Sequence, residues 1–140
     1  VVRNTAAVIV GLIVAFGVIM GVQMIGHTIW TPPADLNWND AEAARTYVSQ
    51  LPFLALMFPI ISYFLGALSG PLIASSIGTA RPLTLSGVIG TVLLAATIAN
   101  LIQIPHPHWF SALAIAAVLI GAWLATQLAN RKRGSVQAED

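Results

Sequence analysis

The chain has 140 residues, of which 57% are hydrophobic and only 8% are charged. Soluble domains carry about 25% charged residues, so this composition excludes an ordinary water-soluble fold. The formal net charge of +1 provides no basic surface for nucleic acid, and the absence of cysteine excludes disulfides, iron–sulfur clusters and thiolate chemistry.

Four long apolar segments dominate the sequence, and none of them contains Asp, Glu, Lys or Arg. They run over about 5–26, 51–74, 83–104 and 109–129. A helix needs about 20 residues to cross a hydrocarbon core of about 30 Å, and each segment meets this length. The sequence therefore predicts an all-α fold, an integral membrane four-helix bundle that forms a single membrane domain over 1–140.

Positive charges predict the orientation of these helices, because Lys and Arg favour the cytoplasmic side of a membrane. Arg3 precedes the first helix, Arg81 lies between the second and third, and the basic run 131–133 follows the fourth. In a chain with four spans these positions share one side. We therefore expect both termini in the cytoplasm, with a cytoplasmic tail over 130–140 and an outer loop over 31–50.

Three of the helices carry a pair of small residues at a spacing of four. Such pairs allow helix backbones to approach closely in lipid, where van der Waals contact drives association. The predicted packing pairs are Gly17 with Gly21, Gly66 with Gly70, and Ser86 with Gly90. They serve either contacts inside the bundle or contacts with a helix of a partner.

The outer loop is the longest polar segment before the tail. Asn39 is followed three residues later by Glu42, which resembles a capping box at the start of a helix. This pattern predicts a short outer-surface helix over about 40–49, between the first two membrane helices. Its apolar side chains lie either on the membrane surface or against a partner protein.

The second membrane helix contains Pro59, which removes a backbone donor and favours a helix kink. Ser62 and Tyr63 follow about one turn later. A kink beside polar groups marks a substrate path in some membrane proteins. In others the neighbouring helices simply satisfy the freed backbone groups, so both interpretations stay open.

The turn IPHPHWF, residues 104–110, contains two of the three histidines of the chain. On the predicted topology the third histidine and three amide side chains lie at the same outer face. The expected cluster consists of Gln23, His27, Asn100, Gln103, His106 and His108. It is either a hydrogen-bonded structural cluster, a site for proton handling, or a site where the three histidines bind a metal, haem or pigment. Three histidines suffice for a catalytic-type zinc, yet their spacing matches no metal motif, so the sequence predicts no definite cofactor.

Three segments carry a resemblance to a known family: GHTIWTPPADLNWND (26–40), LPFLALMFPIISYFLGALSG (51–70) and IPHPHWF (104–110). They resemble a family of small four-helix bacterial inner-membrane proteins of no assigned activity. Its pattern has a Gly-His pair at the end of helix one, a proline pair with an acidic loop, and a Pro-His-Pro-x-Trp-Phe turn. The resemblance implies a bacterial inner (cytoplasmic) membrane location and a role for the outer turn, and it supplies no catalytic residue.

The functional expectation follows from what the apolar segments contain. They hold no ionisable Asp, Glu, Lys or Arg, the usual mark of ion coupling, and the chain offers no evident nucleophile or acid–base pair. We therefore expect a non-enzymatic accessory or stabilising subunit of a larger energy-converting (respiratory or photosynthetic) membrane complex, with the lipid bilayer and other membrane subunits as partners. The alternative is a small homo-oligomeric transporter or pore. A third possibility is a metal, haem or pigment protein that uses the outer-face histidines.

Overall fold

The computed structural model describes residues 1–138, and within this range the chain forms five α-helices and no strand. In chain order the helices are α1 (Val2–Ile29), α2 (Ala41–Gln50), α3 (Phe53–Ile77), α4 (Pro82–Gln103) and α5 (His108–Ala138). Four of them, α1, α3, α4 and α5, are long and apolar enough to cross a membrane. The predicted all-α fold with four long apolar helices is therefore confirmed over the described residues, and it suits a multi-pass membrane protein.

The ends of the helices differ from the predicted bounds, most of all in α5. The sequence predicts that this helix ends at 129, whereas α5 continues to Ala138. Arg and Lys are good helix formers and no proline follows 129, so the helix continues after its apolar residues end. The last two residues of the predicted tail, 139 and 140, lie outside the described residues.

The short helix α2 begins one residue later than the capping box predicts. Its N-cap is Asp40, whose Oδ1 accepts from the backbone N–H groups of Glu42 at 3.0 Å and Ala43 at 3.3 Å. The prediction of Asn39 as the cap is wrong, because the Asn37 side chain forms a turn that binds the N–H of Asn39 at 3.0 Å. The cap therefore falls on the next residue, where an aspartate suits it equally well.

The closest helix contact joins α1 to α3. A Cβ placed on Gly70 would lie 2.6 Å from the carbonyl oxygen of Gly11 and 2.8 Å from the Cβ of Ala15. A Cβ on Gly66 would lie 2.9 Å from the carbonyl oxygen of Ala15. The predicted pair on α3 therefore lies at a backbone-to-backbone contact, and its counterpart on α1 is Gly11 with Ala15. That counterpart is not among the pairs predicted from the sequence.

The two other predicted small-residue pairs differ from each other. Gly90 faces α5, where a Cβ would lie 3.2 Å from the Cβ of Ala122, and Ser86 is buried with a hydroxyl that has no partner among the described residues. Gly17 and Gly21 are exposed, and no other element within residues 1–138 comes within 4 Å of a Cβ on either. This last pair therefore does not pack inside the bundle, because the rotation of α1 turns Gly11 towards α3 instead.

Helix α3 is the centre of the bundle and α1 is its most peripheral long helix. α3 packs against α1, α4 and α5, and α4 also packs against α5. In the most apolar 18-residue window of each span, 17% of α1 is buried, against 33% of α3. The largest fully buried apolar side chains lie on α4 and α5: Leu85, Ile89, Leu93, Phe110 and Val118. The core is thus built from α3, α4 and α5, with α1 attached through its glycine contact.

The connection between α3 and α4 is held by both end helices of the chain. The Asn4 side chain on α1 accepts from the backbone N–H groups of Thr79 at 2.8 Å and Ala80 at 3.0 Å. The Arg133 guanidinium on α5 donates to three backbone carbonyls, those of Ser75, Gly78 and Ala80. The bond to Ser75 satisfies a carbonyl left free in the last turn of α3, and the other bonds satisfy backbone groups of the connection. Arg133 thus has a structural role beyond the apolar part of α5.

Replacing Gly70 with alanine is expected to lower the free energy of unfolding by about 1–3 kcal/mol, because the added methyl group overpacks the contact between α1 and α3. Gly87→Ala is the matched control, since a Cβ on this helical glycine meets no other element within residues 1–138. Denaturation by SDS in mixed micelles measures both variants. Equal stability of the two would contradict the glycine contact.

Candidate functional site

A partly open cavity of about 230 Å³ lies at the α2 end of the bundle, lined by residues of α1, α2, α3, α4 and the α4–α5 connection; we name it the α2 cavity. Five aromatic residues line it: Trp30, Trp38, Tyr47, Phe58 and Tyr63. Trp30 packs edge-on against Phe58 with ring centroids 5.6 Å apart, and Trp38 packs edge-on against Tyr47 at 5.7 Å. Two edge-to-face aromatic pairs therefore form the wall beside α2.

The α2 cavity has a polar floor formed by Gln23, Tyr63 and Asn100, with Ser62 fully buried next to Tyr63 on α3. Gln23 Nε2 on α1 donates to Ser62 Oγ at 3.1 Å, and Ser62 Oγ donates to the carbonyl of Pro59 at 2.7 Å. Asn100 Nδ2 on α4 donates to the hydroxyl oxygen of Tyr63 at 3.0 Å. Buried polar groups are costly unless they are paired, so these bonds tie α1 and α4 to α3 at one level.

Helix α3 runs without a break through Pro59. The kink predicted at this proline stays a prediction. What the structure adds is the bond from Ser62 to the carbonyl of Pro59, which anchors the serine to its own helix while its oxygen accepts from Gln23. Sequence reasoning singled out Ser62 and Tyr63 only as polar neighbours of the proline. Their pairing with amides on two other helices becomes visible only in the fold.

His106 is held in the connection between α4 and α5. Its Nδ1 lies 2.6 Å from the carbonyl oxygen of Ile104, and its ring stacks on Phe110 with centroids 4.3 Å apart. A carbonyl only accepts hydrogen bonds, so Nδ1 carries the proton and Nε2 is an acceptor in the neutral ring. Burial lowers the pKa of His106 below its ordinary value of 6.5, against an opposing effect of the bond to Ile104. The ring is therefore neutral at pH 7.

The proline pattern explains why this segment is extended. Ile104 precedes Pro105, which disfavours helical dihedrals, and its backbone is extended at φ −115° and ψ 116°. α4 therefore ends at Gln103. Pro107 directly precedes α5, and its carbonyl accepts from the N–H of Phe110 at 3.0 Å, so two helices end and begin within a few residues. The side chain of His106 is thereby presented to the α2 cavity.

The structure divides the six residues of the predicted outer-face cluster. Four of them line the α2 cavity: Gln23, His27, Asn100 and His106. Gln103 and His108 are exposed and do not line it. His27 lines the cavity and is also exposed at the surface, so it lies at the opening. The cavity therefore brings together four of the six predicted residues, and aromatic rings complete its walls.

Within residues 1–138, no group of three or more His, Asp or Glu side chains is placed to hold a metal ion. His27, His106 and His108, the candidate metal ligands in the sequence, thus do not form such a group. Within the same range, no Asp, Glu, Lys or Arg lines the α2 cavity. Tyr47 in the wall donates weakly to the carbonyl of Trp30 at 3.4 Å, and burial raises its pKa above the ordinary 10.0. The Tyr47 hydroxyl is therefore protonated at neutral pH.

Comparisons of the chain with protein-family models, curated proteins and solved structures found no match. The resemblance of segments 26–40, 51–70 and 104–110 to a four-helix inner-membrane family stays a prediction.

Replacing Tyr63 with phenylalanine is expected to lower the free energy of unfolding by about 1 kcal/mol, because the Asn100 amide loses its buried partner. Tyr47→Phe is the matched control. Its hydroxyl makes a longer bond, 3.4 Å against 3.0 Å, so we expect a smaller loss. Chemical denaturation of both variants measures the difference, and a larger effect at Tyr47 would contradict the proposed floor of the cavity.

Acidification is expected to destabilise the fold through His106. Its pKa in the fold lies below 6.5, so as the pH falls the unfolded chain takes up a proton that the folded ring resists. The contribution of the neutral His106 ring to the free energy of unfolding is complete above about pH 6.5. It is lost as the pH falls towards the pKa of His106 in the fold. Melting curves recorded at falling pH should show a decline of the melting temperature in wild type that the His106→Phe variant lacks. Parallel curves for the two proteins would rule the effect out.

Proposed function

We propose that the chain is a non-catalytic accessory subunit of a larger energy-converting membrane complex, respiratory or photosynthetic, and that it docks there through α1. The supporting observation is the exposed pair Gly17 and Gly21, which meets no other element within residues 1–138. Exposed apolar side chains flank the pair: Phe16, Met20 and Met24. Together these residues form the open face of α1.

The open face suits a helix of a partner for a physical reason. Lipid tails are as apolar as leucine, so helices associate in a membrane through close contact at small residues. α1 already uses Gly11 and Ala15 in this way against α3. Gly17 follows Gly11 by six residues, which places the second pair roughly 120° around the helix from the first. Methionine side chains adapt their shape to the surface they meet, and this favours a partner of different sequence.

We assign the protein to the bacterial inner (cytoplasmic) membrane, with both termini in the cytoplasm. Arg3 donates to the carbonyl of Ile77 at 2.7 Å, and Arg133 donates to the carbonyl of Ala80 at 2.9 Å. These cations therefore share the α3–α4 end of the bundle with Arg81. Positive residues favour the cytoplasmic side, so the proposal places α2 and the α2 cavity at the outer face.

Two other functions remain predictions. The open face of α1 also suits a second copy of this chain, and a small homo-oligomeric transporter or pore would need such a contact. Metal, haem or pigment binding has less support, since only His27 and His106 of the three histidines line one cavity. Native mass spectrometry separates the accessory subunit from the homo-oligomer by the mass of what remains bound to the chain.

The double variant Gly17→Leu/Gly21→Leu is expected to lose its partner, because bulky side chains prevent the close approach of a second helix. An overpacking cost in the usual range of 1–3 kcal/mol corresponds to a rise of about tenfold or more in the dissociation constant of the partner. The fold of the chain should survive, since a Cβ at either position meets no other element of the described chain. Native mass spectrometry after mild detergent extraction at native abundance measures the bound fraction.

Gly87→Leu is the matched control, because this glycine is equally open but lies on α4. The proposal predicts one defined partner mass in wild type and Gly87→Leu, and its absence in the double variant. A wild type that runs only as monomer contradicts the proposal. A wild type that runs only as a homo-oligomer contradicts it in favour of the transporter or pore.

A further inference from the structure

We infer that the α2 cavity binds the headgroup of a lipid-soluble quinone or quinol. The inference concerns the purified chain and does not depend on which partner, if any, covers α1. It rests on three properties of the cavity: its volume, the uncharged hydrogen-bonding groups in its walls, and its position beside the end of α1.

The volume suits a single substituted ring. A cavity of about 150 Å³ holds benzene in an engineered protein interior, and sites for drug-sized molecules have about 300–1,000 Å³. The α2 cavity lies between these sizes at about 230 Å³. It therefore matches a six-membered ring with small substituents, and it is too small for a haem or another macrocycle.

The hydrogen-bonding groups line the cavity from α1, α3, α4 and the α4–α5 connection. Gln23 on α1 bonds to Ser62 and also to Tyr63, and Asn100 on α4 gives one of its two N–H donors to Tyr63. The second Asn100 N–H and the hydroxyl hydrogen of Tyr63 suit a carbonyl oxygen of a quinone. His106 Nε2 is an acceptor and suits the hydroxyl of the reduced form. An ionic ligand would find no Asp, Glu, Lys or Arg in these walls within residues 1–138, and a hydrocarbon would leave the polar groups unused.

The aromatic walls and the depth of the cavity complete the match. Aromatic pairs gain stability beyond the area they bury, and Trp30, Phe58 and Tyr47 offer such contacts to a flat ring. Trp30 directly follows the last residue of α1. Gln23 lies six residues before Ile29, about 9 Å deeper along the helix. His27 and Trp38 line the cavity and are exposed, so a ring can enter beside them while its apolar chain stays in lipid.

Tryptophan fluorescence tests this inference in the purified chain. The chain has four tryptophans. Trp30 and Trp38 line the cavity, Trp109 packs on Phe110 next to the cavity-lining His106, and Trp123 is exposed 13 residues further along α5, about 20 Å from Phe110. A benzoquinone with a decyl chain is titrated into two matched variants in nanodiscs. Trp109→Phe/Trp123→Phe keeps the cavity pair and should show saturable quenching. Trp30→Phe/Trp38→Phe/Trp109→Phe keeps only Trp123 and should show only a linear, unsaturable decline.

A second matched pair tests the role of His106. The affinity of the quinol is measured by displacement of the quinone. His106→Phe keeps the ring stacked on Phe110 and removes the acceptor, so the dissociation constant should rise about tenfold, as for one lost hydrogen bond. His108→Phe changes an exposed histidine outside the cavity and should leave the constant within about twofold.

Three outcomes overturn the inference. The first is linear quenching of equal slope in both tryptophan variants, which means that the quinone only dissolves in the lipid. The second is displacement of the quinone by decanol at the same concentration, which means that the cavity takes an acyl chain. The third is an equal change of quinol affinity in His106→Phe and His108→Phe.

Discussion

The backbones of α1 and α3 touch where Gly11 and Ala15 meet Gly66 and Gly70, and the position of every other feature on α1 depends on this contact. Helices in lipid gain little from apolar burial, so a contact that needs glycine on both sides sets their register. The same antiparallel register brings Gln23 to Ser62 further along the pair. The polar floor of the α2 cavity is thus a consequence of the glycine contact. The contact also leaves Gly17 and Gly21 facing outwards, which makes them available to a partner.

The α2 end of the bundle combines two requirements that are usually in conflict in a membrane. Polar groups at this depth must be paired, and Ser62, Tyr63, Gln23 and Asn100 pair with one another. A binding site nevertheless needs groups with hydrogen-bonding capacity to spare. Primary amides meet both needs, because each has two N–H donors, and Gln23 and Asn100 bond to α3 while they also line the cavity. Neutral amides, a neutral imidazole and aromatic rings therefore provide recognition without a buried charge, whose cost in a membrane is high.

The sequence predicts the four long helices because hydropathy over some 20 residues leaves few alternatives to a span. It predicts the end of α5 poorly, since hydropathy reports where lipid contact ends and a charged segment can remain helical. It does not distinguish Gly11 with Ala15 from Gly17 with Gly21, because the rotation of α1 is set by α3 and not by α1 itself. Gln103 and His108 likewise look equivalent to Asn100 and His106 in sequence, because the direction of a side chain at the end of a helix depends on the packing of that helix. Only Asn100 and His106 line the cavity.

The most direct test of this account is the accessibility of single cysteines on α1 to a lipid-soluble maleimide, in a chain that has no native cysteine. Ala7 and Ala15 are fully buried, so cysteine at either position should stay unreactive both in native membranes and after purification. Cysteine at position 17 or 21 should react in the purified chain and be protected in the native membrane. Reaction at all four positions would contradict the packing of α1 on α3. Equal reaction at positions 17 and 21 in the native membrane and in the purified chain would contradict the proposed contact with a partner.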